Sequence, residues 1–212
     1  MAGGSEGDGW RVVHLDDDLF EPASEALNAA FFDDPLLEFL ASDPERRRHL
    51  IAMVFPLHLR LAAPDGHTYV VCSDADEVAG TILLAPPGCY PPPPWRVMRL
   101  LPSFASGIGG LLPSLRSMLP GFRYLGATGR LHMKGPHWYV MMVGVAPRYQ
   151  GHGAGRRLMA HAIELAEADG LPLYLETENE DNVGFYELLG FEVTGTEHPH
   201  PAGPRIIGMR RA

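Results

Sequence analysis

Residues 137–170 read HWYVMMVGVAPRYQGHGAGRRLMAHAIELAEADG, and the succession of textures in this stretch decides the fold. HWYVMMVGVAP (137–147) is a near-continuous apolar run, the pattern of a strand covered on both faces, and Pro147 ends it. RYQGHGAG (148–155) is a glycine-rich turn. Beyond it Leu158, Met159, Ala162, Ile163, Leu165 and Ala166 fall on one side of a helix that Gly170 closes. A helix leaves its first four amides without internal acceptors and carries about half a positive charge at that end. Gly151, Gly153 and Gly155 remove side chains that would hold an anion away. The amides of residues 151–156 can therefore wrap a diphosphate, with Arg156 and Arg157 in the first turn adding charge. A tight strand-to-helix turn without any ligand is the alternative reading of three alternate glycines. The spacing is not a dinucleotide-binding fingerprint, which needs an acidic residue ending the next strand. Nor is it a P-loop, which needs Gly-Lys-Ser/Thr.

Outward from this stretch the chain reads as one α/β domain. Downstream, LPLYLET (171–177) is a strand, NEDN (179–182) caps a short helix over VGFYELL, and Gly190 ends that helix in the left-handed region. FEVTG and a run around Ile206–Met209 return as strands, so the last third has the order β-α-β-α-β-β. Upstream, WRVVHL (10–15) is a first strand, and Asp16-Asp17-Asp18 caps a helix running to about Phe32. Asp34-Pro35 breaks it before a second short helix ending at Leu40, and Asp43-Pro44 starts a third. Leu50, Met53, Val54, Leu57 and Leu61 have the spacing of that third helix's buried face. HTYVVCSD and EVAGTILLAP form a hairpin across DADE. Residues 86–94 hold six prolines, and 95–136 mix Gly, Pro, Leu, Met and Arg. Residues 86–136 are expected to be an insertion packed onto the domain near the acceptor site, and 1–9 a flexible tail before a single domain over 10–212. The uncharged run from Leu100 to Leu115 is too short for a membrane span and is broken by Pro102 and Pro113. It reads as buried or substrate-facing helical segments.

VGVAPRYQGHGAGRRLM (143–159) resembles the acetyl-coenzyme A signature of the GNAT N-acetyltransferases, Arg/Gln-x-x-Gly-x-Gly/Ala, here with Gln150, Gly153 and Gly155. YLETENEDNVGFYELLGFEV (174–193) resembles the same superfamily's following strand, helix and hairpin. Within the family the likeness leans toward puromycin-acetylating enzymes and similar small-molecule acetyltransferases. It extends more weakly to AFFDDP (30–35) and the helix over 44–63. The resemblance implies the GNAT fold: a mixed, mostly antiparallel, twisted central sheet flanked by helices on both faces. It also implies acetyl-CoA as acyl donor and a primary amine of a small molecule as acceptor, with direct attack in a ternary complex. By the same likeness Val143, Gly144 and Val145 offer backbone groups to the pantetheine arm as an added strand would. Gly151, His152, Gly153, Ala154, Gly155 and Arg156 hold the diphosphate, Gln150 of the signature belongs to the same cofactor-binding set, Asn182 bonds the pantetheine, and Tyr186 stands near the sulfur. Two other readings stand beside this one: acetylation of a protein or peptide N-terminus or lysine, and a coenzyme A-sensing module without turnover.

Transfer from a thioester to an amine needs a neutral amine, a polarised carbonyl and a proton for the departing thiolate. Asn182 and Tyr186, four apart, share a helical face. A phenol can protonate a thiolate, so Tyr186 is the candidate general acid; a core tyrosine filling the helix–sheet gap is the structural alternative. Strand alternation puts Tyr174, Glu176 and Glu178 on one face and Leu173, Leu175 and Thr177 on the other. A carboxylate inside an apolar strand must be paired, hydrogen-bonded or neutralised, so Glu176 is either the general base or a structural acid held by neighbours. His137, at the start of the central strand, is the second candidate base. Glu178 is expected to be solvated. Phe31, Phe32, Trp95, Phe104, Phe122, Tyr124 and Trp138 could line the acceptor pocket or pack the insertion.

Composition bounds the partners. The 212 residues carry 17 Lys+Arg against 26 Asp+Glu, a net charge of −9, which argues against a nucleic-acid binder and suits a cationic amine. Residues His198 and His200 lack a third ligand at sensible spacing, so no metal is expected. Two cysteines, Cys72 and Cys89, suit a reducing compartment, with a disulfide between them left open. MAGGSEGDGW shows no basic region followed by an apolar run, so a cytoplasmic protein without membrane contact is expected, as monomer or homodimer.

Overall fold

The apolar runs pair edge to edge in one seven-stranded sheet: β1 (Arg11–His14), β2 (Thr68–Cys72), β3 (Val78–Ala85), β4 (Trp138–Val145), β5 (Leu173–Thr177), β6 (Glu192–Glu197) and β7 (Ile206–Arg211). Their spatial order is β1-β2-β3-β4-β5-β7-β6. Every neighbouring pair is antiparallel except β4–β5. The α-helices with described bounds are α1 (Phe20–Ala30), α2 (Pro35–Leu40), α3 (Pro44–Ala62), α4 (Leu115–Leu131), α5 (Ala154–Asp169) and α6 (Val183–Leu188), and residues 94–99 are helical as well. This computed structural model describes residues 9–99 and 115–212, and side chains of 115–119 are not described. Residues 1–8, most of the uncharged run and Phe104 therefore lie outside the described residues.

The starts of α2 and α3 follow from their capping residues. Asp34 Oδ1 accepts from the amides of Leu36 and Leu37 at 3.0 and 3.2 Å, and Asp43 accepts from Arg46 at 2.9 Å. Each acid precedes a proline at the first helical position, where a missing N–H costs nothing.

Two apolar layers sandwich the sheet. On one face Leu158, Met159, Ala162 and Ala166 of α5 pack on Val71, Ile82, Leu84, Val140 and Leu175. On the other, Leu27 of α1 and Ile51, Phe55 and Leu59 of α3 pack on Val70 and Leu83. The apolar buried stripe of α3 is thus Ile51, Phe55, Leu59 and Ala62, one or two positions away from the expected Leu50, Met53, Val54, Leu57 and Leu61, which are half-buried. Both rows are apolar, and packing on α1 and the sheet decides between them. At Gly144 a Cβ would stand 2.8 Å from the Phe31 ring and 2.9 Å from Ala30 Cβ. The bare backbone lets α1 lie directly against β4.

The segment before β4 is tied down at several points. The Arg96 guanidinium pairs with the largely buried Asp65 at 2.7 Å. On α4, the Tyr124 hydroxyl donates to the Pro204 carbonyl at 2.7 Å, and Tyr124 and Ala127 pack beside Ile206, Leu36 and Phe39. Cys72 and Cys89 are both free thiols.

Candidate active site

Strands β4 and β5 part company halfway along. Their parallel pairing runs only from Trp138↔Leu173 to Val140↔Leu175. Among the described residues, no strand pairs with the β5-facing edge of β4 from Met141 to Val145. A register shift on the other side pairs Leu83 with Met142 and Leu84 with Val140. Met141 is the extra residue of this bulge. The strand read as covered on both faces is buried over Trp138–Val140 and half-buried over Met141–Val143. The splay accounts for the difference, because a cavity of about 290 Å³ lies there. Its floor is Val140–Val143 and Leu175–Glu178; α1, α2 and α3 contribute Phe31, Asp34 and His58, and the α6 region adds Asn182 and Tyr186.

Three carboxylates stand on this wall. Glu178, just past the end of β5, is not solvated as expected but half-buried in the lining. Burial, reinforced by the charges of Asp34 and then Glu176, pushes its carboxyl up to about 7. Asp34 is raised by burial, against the lowering effect of the Leu37 and Leu36 amides it caps. The Glu176 side chain is only 3% exposed. One of its oxygens lies 3.2 Å from His132 Nδ1, and the other is buried with no hydrogen-bond partner among the described residues. His58 donates from Nδ1 to the Val54 carbonyl at 2.8 Å, and burial holds its pKa below the usual imidazole value.

Tyr186 is 6% exposed, between Phe185 and Phe191. Burial, and second the Glu178 carboxylate, hold its phenol well above the ordinary value, so it keeps its proton. The structure brings Glu178, Glu176, Asn182 and Tyr186 to one cavity. His137 lies outside that lining and is linked to Glu176 through His132. Of the six expected aromatic wall residues that are described, Phe31 alone lines it, and Phe104 lies outside the described residues. Trp138 packs on the α5 face and donates to Asp169. Phe32 lies under the Arg47 guanidinium, Tyr124 is buried elsewhere, and Trp95 and Phe122 are exposed. Sequence reading missed Asp34, His58, His132 and Glu178. The available signal for Glu178 was its two-residue spacing from Glu176.

Beyond Val145 the free edge of β4 leads into the glycine elbow. A 3-10 turn over Pro147–Tyr149 precedes it. Gly151 and Gly153 take φ of 76° and 90°, a region that L side chains avoid. Among the described residues, the amides of 151–156 donate to no backbone carbonyl, and α5 has no side-chain cap. A Cβ at Gly151 would meet nothing within 4 Å. These exposed donors at a helix start fit an anionic diphosphate. The elbow is braced from behind: Gln150 donates to the Val145 carbonyl at 2.9 Å, Trp10 donates to the His152 carbonyl at 2.6 Å, and the Tyr149 hydroxyl donates to Glu77. Arg156 is exposed in the first turn, while Arg157 lies 3.8 Å from Glu164. Gly144, in contrast, serves the approach of α1.

Comparison with known proteins agrees with this layout. Residues 28–191 match the family model described as Acetyltransferase (GNAT) family. A Corynebacterium glutamicum structure described as histone acetyltransferase HPA2 and related acetyltransferase superposes with a TM-score of 0.70 at 23% identity, over 96% of each chain. Arylalkylamine N-acetyltransferase 2 of Aedes aegypti superposes with a TM-score of 0.63 at 14% identity, over 96% of this chain and 98% of that one. N-alpha-acetyltransferase RimI of Mycobacterium tuberculosis is 36% identical over 74 residues, 34% of this chain and 47% of that protein. The chain spans about a fifth to a half of the length of the curated relatives it matches.

Proposed function

Starting from the fact that this chain belongs to the GNAT acetyltransferase family, we propose that it transfers an acetyl group from acetyl-CoA to the primary amine of a small cationic molecule, by direct attack in a ternary complex. The observation that carries the reading is the cavity at the β4–β5 splay, where the raised Glu178 carboxyl and the Tyr186 phenol share one wall. Its size suits a small ligand. Phe31, Leu36, Leu37, Phe55 and Met142 make much of the lining apolar, and Asp34, Glu176 and Glu178 supply the negative charge.

In this mechanism the free edge of β4 at Val143 and Val145 receives the pantetheine arm as an added strand, and the amides of 151–156 hold the diphosphate. Glu178 takes a proton from the arriving ammonium. The neutral nitrogen forms the C–N bond as the C–S bond breaks, and Tyr186 gives its proton to the departing sulfur. The nitrogen's second proton returns to Tyr186 by way of Glu178. Ammonium and thioester thus become amide, thiol and one released proton. Asn182, exposed at the start of α6, is placed to bond the pantetheine.

The test is calorimetric titration with acetyl-CoA, followed by thiol release across aminonucleosides, aminoglycosides, polyamines, amino acids, arylalkylamines and short peptides. Saturable binding, with release for one class of small amine, is the expected result. Release with peptides alone would transfer the acceptor to the peptide class. Binding without release for any amine would make the protein a coenzyme A sensor.

A further inference from the structure

Among the described residues His58 is the only imidazole in the cavity lining, and its own helix fixes the ring. Nδ1 lies 2.8 Å from the Val54 carbonyl, one turn earlier on α3. A carbonyl oxygen only accepts, so the ring hydrogen sits on Nδ1. Burial holds the imidazole below its ordinary pKa, so at neutral pH no second hydrogen is bound and Nε2 carries a bare lone pair. With Nδ1 turned to the helix backbone, Nε2 stands on the ring edge directed away from it. Nε2 has no hydrogen-bond partner among the described residues, yet it is not sealed in the core as Glu176 Oε2 is. The lone pair therefore opens onto the cavity. The helical side of the lining is otherwise apolar: α2 and α3 bring Leu36, Leu37, Val54 and Phe55, and Phe31 packs on Phe55 with ring centroids 4.9 Å apart. None of these side chains can donate a hydrogen bond. Glu176 and Glu178 belong instead to the strand-built floor. A ligand with its ammonium on that floor meets, at α3, an apolar wall holding a neutral acceptor.

We propose that His58 is a specificity-determining residue whose Nε2 accepts a hydrogen bond from a hydroxyl on the acceptor, so that the preferred substrates are small amines with a hydroxyl on an apolar body. The proposal rests on the acetyl-transfer reading above and names its acceptor more closely. A hydroxyl brings the single donor that Nε2 needs. An amide would bring a carbonyl as well, and the neighbouring side chains have no donor for it, so that group would lose its water without replacement. A second ammonium is better met by a carboxylate than by a neutral ring. An amine with no further donor strips Nε2 of water and leaves it unpaired, which costs the desolvation of the lone pair. His58 makes and breaks no covalent bond in this role; its hydrogen stays on Nδ1 throughout.

Matched amines test it: tyramine against phenethylamine, and aminopentanol against pentylamine and cadaverine. For at least one pair the native kcat/KM should favour the hydroxylated amine by about tenfold or more. In His58→Leu, which keeps the bulk and suits a helix, that ratio should fall to within about twofold of unity, with acetyl-CoA affinity unchanged. Native ratios near unity for both pairs, or a preference that survives in His58→Leu, would overturn the proposal. Cadaverine preferred over aminopentanol would give the acceptor's second group to Asp34 and overturn it as well. Nitrogen-15 spectra of histidine-labelled native protein need no turnover. Near pH 7, His58 should carry hydrogen on Nδ1 alone, and with CoA present its Nε2 resonance should move on adding tyramine or aminopentanol but not phenethylamine or pentylamine. A hydrogen on Nε2, no movement with either hydroxylated amine, or the same movement with CoA alone would overturn the assignment. The spectra answer even if no amine is ever acetylated, so failure of the activity and failure of the His58 contact are separable.

Discussion

Glu178 and Tyr186 divide the chemistry because the same low-dielectric wall acts on them differently. Burial and two neighbouring carboxylates raise Glu178 to about 7, which makes it a base of useful strength near neutrality. Activity should therefore fall as pH drops through about 7, and Glu178→Gln should remove that limb and lower kcat by about a hundredfold or more in a pH–rate profile. The same substitution has an opposite effect on stability. A carboxyl whose folded pKa is raised holds its proton where the unfolded chain has lost it, so stability declines as pH rises from the ordinary carboxylate range to about 7. Above that window Glu178→Gln should be the more stable protein, by roughly 1–3 kcal/mol in denaturant titration. A stability difference between variant and native protein that is the same at pH 5 as at pH 8 would contradict the raised carboxyl. Tyr186 stays protonated, and removing its hydroxyl in Tyr186→Phe should lower kcat by about a hundredfold with acetyl-CoA affinity unchanged by calorimetry.

Among the elements, the elbow between β4 and α5 works because backbone, rather than side chains, faces the anion. Gly153 sits at φ 90° immediately before α5. In Gly153→Val the β-branched side chain cannot hold that φ without strain, so the first turn of α5 must reorient. The expected result is acetyl-CoA binding weakened by at least about a hundredfold, with thermal stability reduced by only a few degrees. The elbow, the helix behind it and the strand before it were all legible, because each depends on local rules: an apolar run, a proline stop, glycines, then a 3.6-residue period. The splay between β4 and β5 was not legible. It depends on where inter-strand pairing stops and on the extra residue at Met141, and neither leaves a mark in composition.

At the scale of the molecule, the acidic pocket is assembled from distant parts of the chain. Asp34 reaches it from the cap of α2 and Glu178 from the end of β5, 144 residues later. Arg47, nearly buried on α3, lies 3.3 Å from Glu38 of α2 and packs over Phe32, tying the short α2 to α3. Asp34→Asn tests the coupling, since asparagine caps a helix as well as aspartate does but carries no charge. Without that charge the Glu178 carboxyl should fall below about 7, moving the acid limb of kcat/KM to lower pH. KM for a cationic amine should rise several-fold at low salt. An unshifted limb would mean that burial alone, without Asp34, raises Glu178.

By itself the sequence determined the strand–elbow–helix unit, the order of the last four strands, the capped starts of α2 and α3, and the pairing of Tyr186 with Asn182 in one short segment. These follow from periodicity and from residues whose backbone preferences are intrinsic. Only the tertiary structure decided that Glu178 lines a cavity, that Asp34 faces it, that Phe31 alone of the expected aromatics among the described residues belongs to it, and that His132 links Glu176 to His137. The reason is physical: a carboxylate's basicity and an imidazole's proton depend on burial and on charges a few ångströms away. Those neighbours come from segments whose separation along the chain carries no record of their distance in space.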